Sequence, residues 1–378
     1  MKIDSVKGFN DFIDEEAFKR AKIKNILVNV FEKYGFQPVE TPIIEYEDFV
    51  KGENQEDEAI SDIFKLKDKG KRNLALRYEF TFQLKRIAKN KKLPYKRYQI
   101  GEVFRDEPAK KNRFRQFTQC DVDTIGSTIK DEAEILALSY EILQKLGIEP
   151  VILINNRSLL NEILGSEKIK EKDRLQVLRE IDKYGKVPEK EIKKNLKKFK
   201  ADNVLELLKK GEKFFNQFQS YREIISLMEY CKLYGVKVLF SPTVVRGLSY
   251  YNGSVFEIKA QGIRETIIAG GSYKFEGIQC TGISFGLERL SILSKIKYEK
   301  EKTLIISLGQ DREAIKLAQK LRKKGKNVSV YYGKPSKALE YANSYKIEKV
   351  IFVGKEEVKK GKFKVKDMKT GKESYEKF

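Results

Sequence analysis

The segment Phe114–Gly126, FRQFTQCDVDTIG, carries the densest chemistry in the chain. Read as an extended strand, it sets Arg115, Phe117, Gln119, Asp121 and Asp123 on one face, because successive side chains point to opposite sides. The other face, Gln116, Thr118, Cys120, Val122 and Thr124, is mostly small or apolar and suits packing. Polar groups buried unpaired lose ~1–3 kcal/mol each, so the first face makes sense as the floor of a polar pocket. Tyr98–Arg105, YQIGEVFR, reads as the preceding strand, joined through the basic loop Asp106–Arg113. Arg105 and Arg113 at that hairpin end could clamp phosphate, whose oxygens a guanidinium meets two at a time. In LRYEFTF, alternation predicts a strand with Arg77, Glu79 and Thr81 opposite Leu76, Tyr78, Phe80 and Phe82. Val244–Glu257, VVRGLSYYNGSVFE, places Arg246, Tyr250 and Tyr251 in a loop before a strand. Ala269–Tyr273, AGGSY, reads as opening a glycine turn. Thr281–Leu290, TGISFGLERL, reads as a strand breaking at Gly286 into a helix with Arg289 in its first turn, a place that favours an anion.

What is missing is equally informative. None of the 378 residues is histidine, which excludes a Ser-His-Asp triad, a histidine general base and any zinc site built on imidazole. Cys120, Cys231 and Cys280 lie far apart without a C-x-x-C, against a thiolate metal site, a redox dithiol or a secreted disulfide framework. A reducing cytosol is the simplest compartment. Catalysis must then use Arg, Lys, Asp, Glu, Gln, Tyr or a bound metal. No apolar run approaches the ~20 residues that span a bilayer, and the opening MKIDSVKGFNDF lacks a signal peptide's apolar stretch.

Other elements must hold these residues in place. Glu15–Tyr34 has one broad apolar helical face, with Asp14 as its expected N-cap and Gly35 as its stop. A strand, Phe36–Val39, and then Pro42 follow, and proline there belongs at an edge or interface. Residues 165–221 read as a mostly helical insertion divided at Pro188. From residue 302 onward, Thr303–Leu308, Asp311–Lys323, Val328–Tyr332, Ser336–Tyr345 and Lys349–Val353 alternate strand and helix, the pattern of a small α/β domain with a parallel sheet. That last stretch holds 21 Lys and Arg against 9 Asp and Glu, more than half of the chain's net +22. Such an excess suits a polyanionic partner and reads as a nucleic-acid-binding module. A Lys/Glu-rich solvated surface is the bland alternative, and composition alone leaves both open.

Taken together, these motifs resemble those of the histidyl-tRNA synthetase family, class II aminoacyl-tRNA synthetases, over almost the whole chain. The helix, strand and proline of Glu15–Glu45 look like the class's dimer-interface motif. YQIGEVFRDEP with FRQFTQCDVDTIG looks like the second class motif, and GISFGLERL like the third. VVRGLSYYNGSVFE and AGGSYKFEG resemble the two histidine-specific motifs, and the C-terminal segment resembles the family's anticodon-binding domain. The resemblance implies an α+β catalytic core (residues 1–164 and 222–298) with an antiparallel sheet and flanking helices. It also implies the helical insertion at 165–221 and a C-terminal α/β anticodon-binding domain at 302–378.

It further implies a histidine–tRNA ligase that uses ATP and Mg²⁺, binds L-histidine and tRNA(His), and works as a cytoplasmic homodimer with no membrane association. Carried over by position, Arg105 would hold the ATP α-phosphate and Glu107 would read the adenine. Phe117 and Arg289 would sandwich that base, and Arg113 would help grip the phosphates. Arg246 would face the α-phosphate and the substrate carboxylate. Glu79, Thr81 and Gln119 would bind the amino end of histidine. Asp123 and Tyr251 would meet its imidazole, with Tyr250 and Tyr273 in the same pocket and Tyr273 closing it. Of these, Arg105, Arg246 and Gln119 form the catalytic set. Ser249, Ser272, Lys274 and Asn112 depart from the family pattern. Two rivals carry the same core: a synthetase-like regulatory subunit of ATP phosphoribosyltransferase, which charges no tRNA, and a tRNA-binding regulator that keeps the fold without activity. The first generally lacks the anticodon domain and loses catalytic arginines, whereas Arg105, Arg246 and Arg289 all stand here.

Overall fold

The computed structural model describes residues 3–52, 58–108, 113–245, 251–263, 265–297 and 301–378. Two compact units divide the chain, Met1–Ile296 and Lys297–Phe378.

The first unit is built on an eight-stranded sheet. Six strands run antiparallel in the order Tyr95–Phe104, Gln116–Ile125, Ile278–Gly286, Thr266–Phe275, Tyr251–Ala260 and Pro150–Asn156. Short parallel strands, Gln37–Pro38 and Val238–Phe240, close the two edges. Alternation sends Cys120 and Val122 into the main apolar core, together with Ile23, Leu27 and Phe31 from helix Asp14–Lys33 and Leu136, Leu143 from helix Ile129–Lys145. The opposite face of the same strand carries Gln119, Asp121 and Asp123, all buried. Thr128 and Asp131 form a reciprocal capping box at the start of helix Ile129–Lys145, which satisfies backbone donors that the helix cannot.

Several local expectations change. Asp14 is not the N-cap of its helix: Ile13 occupies that position without a side-chain cap, and Asp14 begins the helix with φ +48°. LRYEFTF is not one strand, since the strand there ends at Leu76. Arg77 turns inward instead, and its Nε and Nη1 donate to the carbonyls of Glu102 and Thr41 at 2.8 and 2.7 Å. The chain then folds into a tight turn, with the Leu84 amide donating to the Thr81 carbonyl at 3.0 Å. AGGSY is not a turn either. It lies inside the strand Thr266–Phe275, and its glycines answer to crowding: a Cβ on Gly270 would sit 2.7 Å from Ile283 Cα, and one on Gly271 2.5 Å from the Ser254 carbonyl oxygen.

The helices Glu171–Ile181, Glu189–Lys197 and Val204–Leu208 bury Leu178, Ile181, Ile192, Leu196 and Leu205 in the same core as the sheet. In the second unit, strands Asn327–Tyr332, Lys302–Ser307 and Lys349–Val353 are parallel, as expected. The sheet is mixed, however, because Phe363–Asp367 and Glu373–Glu376 add antiparallel strands at one side. Helices Asp311–Lys323 and Pro335–Ser344 supply apolar residues to two clusters around this sheet.

Candidate active site

The polar face of the first sheet holds the fully buried cation Arg97 near its centre. Register pairs Arg97 with Asp123 across the hairpin, and Asp123 with Gly282 on its other side. Arg97, 0% exposed, meets Asp123 Oδ2 through Nη2 at 2.6 Å. Tyr273 donates its hydroxyl to Asp123 Oδ1, also at 2.6 Å. Burial, reinforced by the Asp123 charge, pushes the Tyr273 phenol well above its usual range, so it stays a donor to that carboxylate. Two residues along, Gln119 Nε2 donates to Asp121 Oδ2 at 2.7 Å. Burial raises the Asp121 carboxyl to about 7, with Arg97 and Gln119 opposing the shift and Asp123 adding to it.

Glu79 faces this group from the turn after Leu76. Its carboxylate accepts from the Phe82 amide at 2.9 Å and from the Thr81 hydroxyl, while burial lifts its pKa above the ordinary carboxylate value. Tyr251 pairs with Tyr273 across the sheet, and both lie in an apolar cluster with Tyr95, Val255 and Cys280. Gln119, Asp123, Tyr251, Tyr273, Glu79 and Thr81 thus belong to one neighbourhood: carboxyls, an amide and phenols over an apolar wall. It suits a small ligand that carries a cationic end and ring N–H groups.

A second group lies at the hairpin end. The Arg105 guanidinium sits 5.2 Å from the Phe117 ring centroid, and its Nε donates to the Tyr78 carbonyl at 3.2 Å. Arg113 forms an ion pair with Glu107. Arg289 is in the first turn of helix Leu287–Leu293, as expected, but its guanidinium donates to the Thr266 carbonyl. Arg246, Tyr250 and Ser249 lie outside the described residues, as does Asn112.

Two of the departures from the family pattern can be located. Ser272 points away from Tyr273, to the other face of the sheet, and its hydroxyl bonds Glu132 on helix Ile129–Lys145. Lys274 is exposed. Among the described residues, no cluster of three or more His, Cys, Asp or Glu is arranged to hold a metal ion.

Arg97 and Asp121 carry no role in the sequence-based assignment, yet they occupy the centre of the group. The signal for them depends on hairpin register, which the sequence leaves open by a residue. Once Tyr98–Arg105 and Phe114–Gly126 are taken as a hairpin, extending the first strand by one residue brings Arg97 opposite Asp123.

Six antiparallel strands with a polar inner face, helices packed behind, and an arginine-bearing hairpin define a class II aminoacyl-tRNA synthetase core. Residues 8–290 match the histidyl-tRNA synthetase family, and residues 302–377 match an anticodon binding domain. Histidine–tRNA ligase 1 of Bacillus anthracis is 34% identical over 413 residues, covering 99% of this chain and 97% of its own length. The chain belongs to the histidyl-tRNA synthetase family. The fold is similar to the crystal structure of histidyl-tRNA synthetase from Nostoc sp. PCC 7120, with TM-score 0.87 and 23% identity over 100% of this chain and 97% of that one. It is also similar to that of an ATP phosphoribosyltransferase regulatory subunit/histidyl-tRNA synthetase from Bacillus halodurans C, with TM-score 0.79 and 23% identity over 93% and 98%.

Proposed function

We propose that this chain is a histidine–tRNA ligase. A carboxylate oxygen of histidine attacks the α-phosphorus of ATP, pyrophosphate leaves, and histidyl-adenylate forms. A ribose hydroxyl at the 3′ end of tRNA(His) then attacks the activated carbonyl, and AMP leaves. Neither step needs a protein nucleophile, so a chain without histidine loses nothing required. Positioning and charge neutralisation supply the catalysis.

In this reading Arg105 holds the α-phosphate and Arg246 bridges it to the histidine carboxylate. Gln119, Glu79 and Thr81 receive the ammonium group, and Asp123, Tyr250, Tyr251 and Tyr273 form the imidazole pocket. Glu107, Phe117, Arg113 and Arg289 serve the nucleotide, so the Arg113–Glu107 pair and the Arg289 contact with Thr266 would open when ATP binds. Mg²⁺ would accompany the nucleotide and neutralise its phosphate charge.

The observation that carries the reading is the buried Arg97–Asp123–Tyr273 chain beside Gln119, Asp121 and Glu79. Among its described residues, Asp121, Asp123 and Glu79 outnumber Arg97, which favours a ligand ammonium and ring N–H. The regulatory-subunit alternative is less favoured, because the second unit is a full domain matching an anticodon-binding family. We place the protein in the cytoplasm, and no described helix is long and apolar enough to cross a membrane. We also assign it a homodimer. The strand Ile44–Tyr46 is an edge of its three-stranded sheet, and Ile43, Ile44 and Tyr46 are exposed there, as an isologous contact requires. The direct test is charging of tRNA(His) with labelled histidine. An ester formed at the tRNA 3′ end supports the reading, and a folded protein that forms none overturns it.

A further inference from the structure

Arg97 raises a physical question. A buried ion pair is weak support for stability, and an apolar pair of similar size is often as good or better. The ladder between Tyr95–Phe104 and Gln116–Ile125 already holds the hairpin together. Arg97 is nevertheless 0% exposed, and none of its three guanidinium nitrogens has a hydrogen-bond partner among the described residues, its contact with Asp123 being an ion pair. It cannot touch a ligand itself. What it does touch is Asp123, whose two oxygens are divided between Arg97 and Tyr273. Behind Asp123 stands Gly282, on which a Cβ would come 2.8 Å from Asp123 Cγ. The carboxylate is therefore bounded on three sides, and among the described residues Arg97 supplies its countercharge.

Resting on the histidine-pocket reading above, we propose that Arg97 is a positioning residue for imidazole recognition: from beside Asp123 on the same face of the sheet it fixes the rotamer of Asp123 and supplies its countercharge. Asp123 in turn accepts the Tyr273 hydroxyl hydrogen bond at Oδ1. A phenol committed as donor to Asp123 can meet a ligand only through its oxygen, as an acceptor. The pair Asp123 and Tyr273 then presents acceptors alone, the complement of imidazole N–H. Without Arg97, Asp123 would share its space with Asp121 and Glu79 unscreened, and the direction of the Tyr273 hydroxyl would no longer be set.

The test is a double-mutant cycle in full-length protein, read by histidine-dependent ATP–pyrophosphate exchange. Arg97→Met should raise KM for histidine on the order of 30-fold, the size of one charge-assisted hydrogen bond, with KM for ATP changed less than about 3-fold. Arg97→Lys should recover most of that loss. Asp123→Asn should also raise KM for histidine, and Arg97→Met added to it should cost less than about 3-fold further, because the proposed route from Arg97 to the imidazole runs through Asp123. The double variant removes both buried charges, so it keeps the test alive even where Arg97→Met alone does not fold. A KM for histidine in the double variant well above that of Asp123→Asn overturns the proposal, as do equal rises in both KM values for Arg97→Met. Wild-type protein with no histidine-dependent exchange would instead overturn the functional reading on which the proposal rests.

Discussion

A methyl group added at Gly282 should disable histidine recognition while leaving the nucleotide side intact. Gly282 pairs with Asp123 across the sheet, and the two residues share the pocket face. A Cβ there would lie 2.8 Å from Asp123 Cγ and closer still to Oδ1. Carbon atoms rest at about 3.5–4.0 Å, so the carboxylate must retreat by roughly 1 Å. Tyr273 donates to that same oxygen at 2.6 Å, and a retreat of that size carries the pair past bonding range. A hydrogen bond to a charged group contributes about 1.5–3 kcal/mol, or roughly 10–150-fold in an equilibrium constant. Gly282→Ala should therefore raise KM for histidine within that range in pyrophosphate exchange, change KM for ATP by less than about 3-fold, and lower the urea-unfolding free energy by roughly 1–3 kcal/mol. Gly211→Ala is the control, since nothing lies within 4 Å of its Cβ and its φ is −65°. Wild-type KM and stability for Gly282→Ala would refute the packing of Asp123 against Gly282, and with it the geometry of the pocket.

Three further predictions test other parts of the molecule. Burial raises Glu132 to about 7, well above its unfolded value, so the native state holds an extra proton between about pH 4.5 and 7 and loses stability as pH rises through that window. Thermal melts of Glu132→Gln should show a gain over wild type at pH 8 and little difference at pH 5, and equal shifts at both pH values would contradict this. Glu288 is buried against Arg20 Nη2 at 2.9 Å and accepts the Thr118 amide at 3.0 Å, so Glu288→Ala strands a buried guanidinium and should cost about 3–5 kcal/mol in urea unfolding; a cost below about 1 kcal/mol would mean solvent reaches Arg20. Removing Lys302–Phe378 should reduce tRNA affinity at least tenfold and flatten its salt dependence, yet leave pyrophosphate exchange within a few-fold of wild type; equal loss of both would make the second unit a support for the first.

The polar floor was legible because period-two alternation is a local property, and Gln119, Asp121 and Asp123 do share a buried face. Arg97 was not legible in the same way. Among 77 Lys and Arg, one more arginine looks like surface, and its partner lies across a hairpin whose register the sequence leaves open by a residue. Gly270 and Gly271 were misread for a related reason. Paired glycines look like punctuation, whereas here they admit neighbouring backbone and the Tyr251 ring inside a strand. LRYEFTF misled because its alternation is real but its strand ends at Leu76, where Arg77 donates tertiary hydrogen bonds to the Glu102 and Thr41 carbonyls. The C-terminal hairpin escaped notice because Lys364, Lys366, Glu373 and Glu376 give its strands little apolar pattern, and its register rests on the Asp367–Thr370 turn. Contacts set by sequence neighbours could be read, and contacts set by register could not.

The central claim is that this pocket activates histidine. ATP–pyrophosphate exchange with each of the twenty amino acids in turn tests it most directly. Exchange with histidine alone is the predicted result. Silence with all twenty from folded protein, or exchange driven by another amino acid, would contradict it.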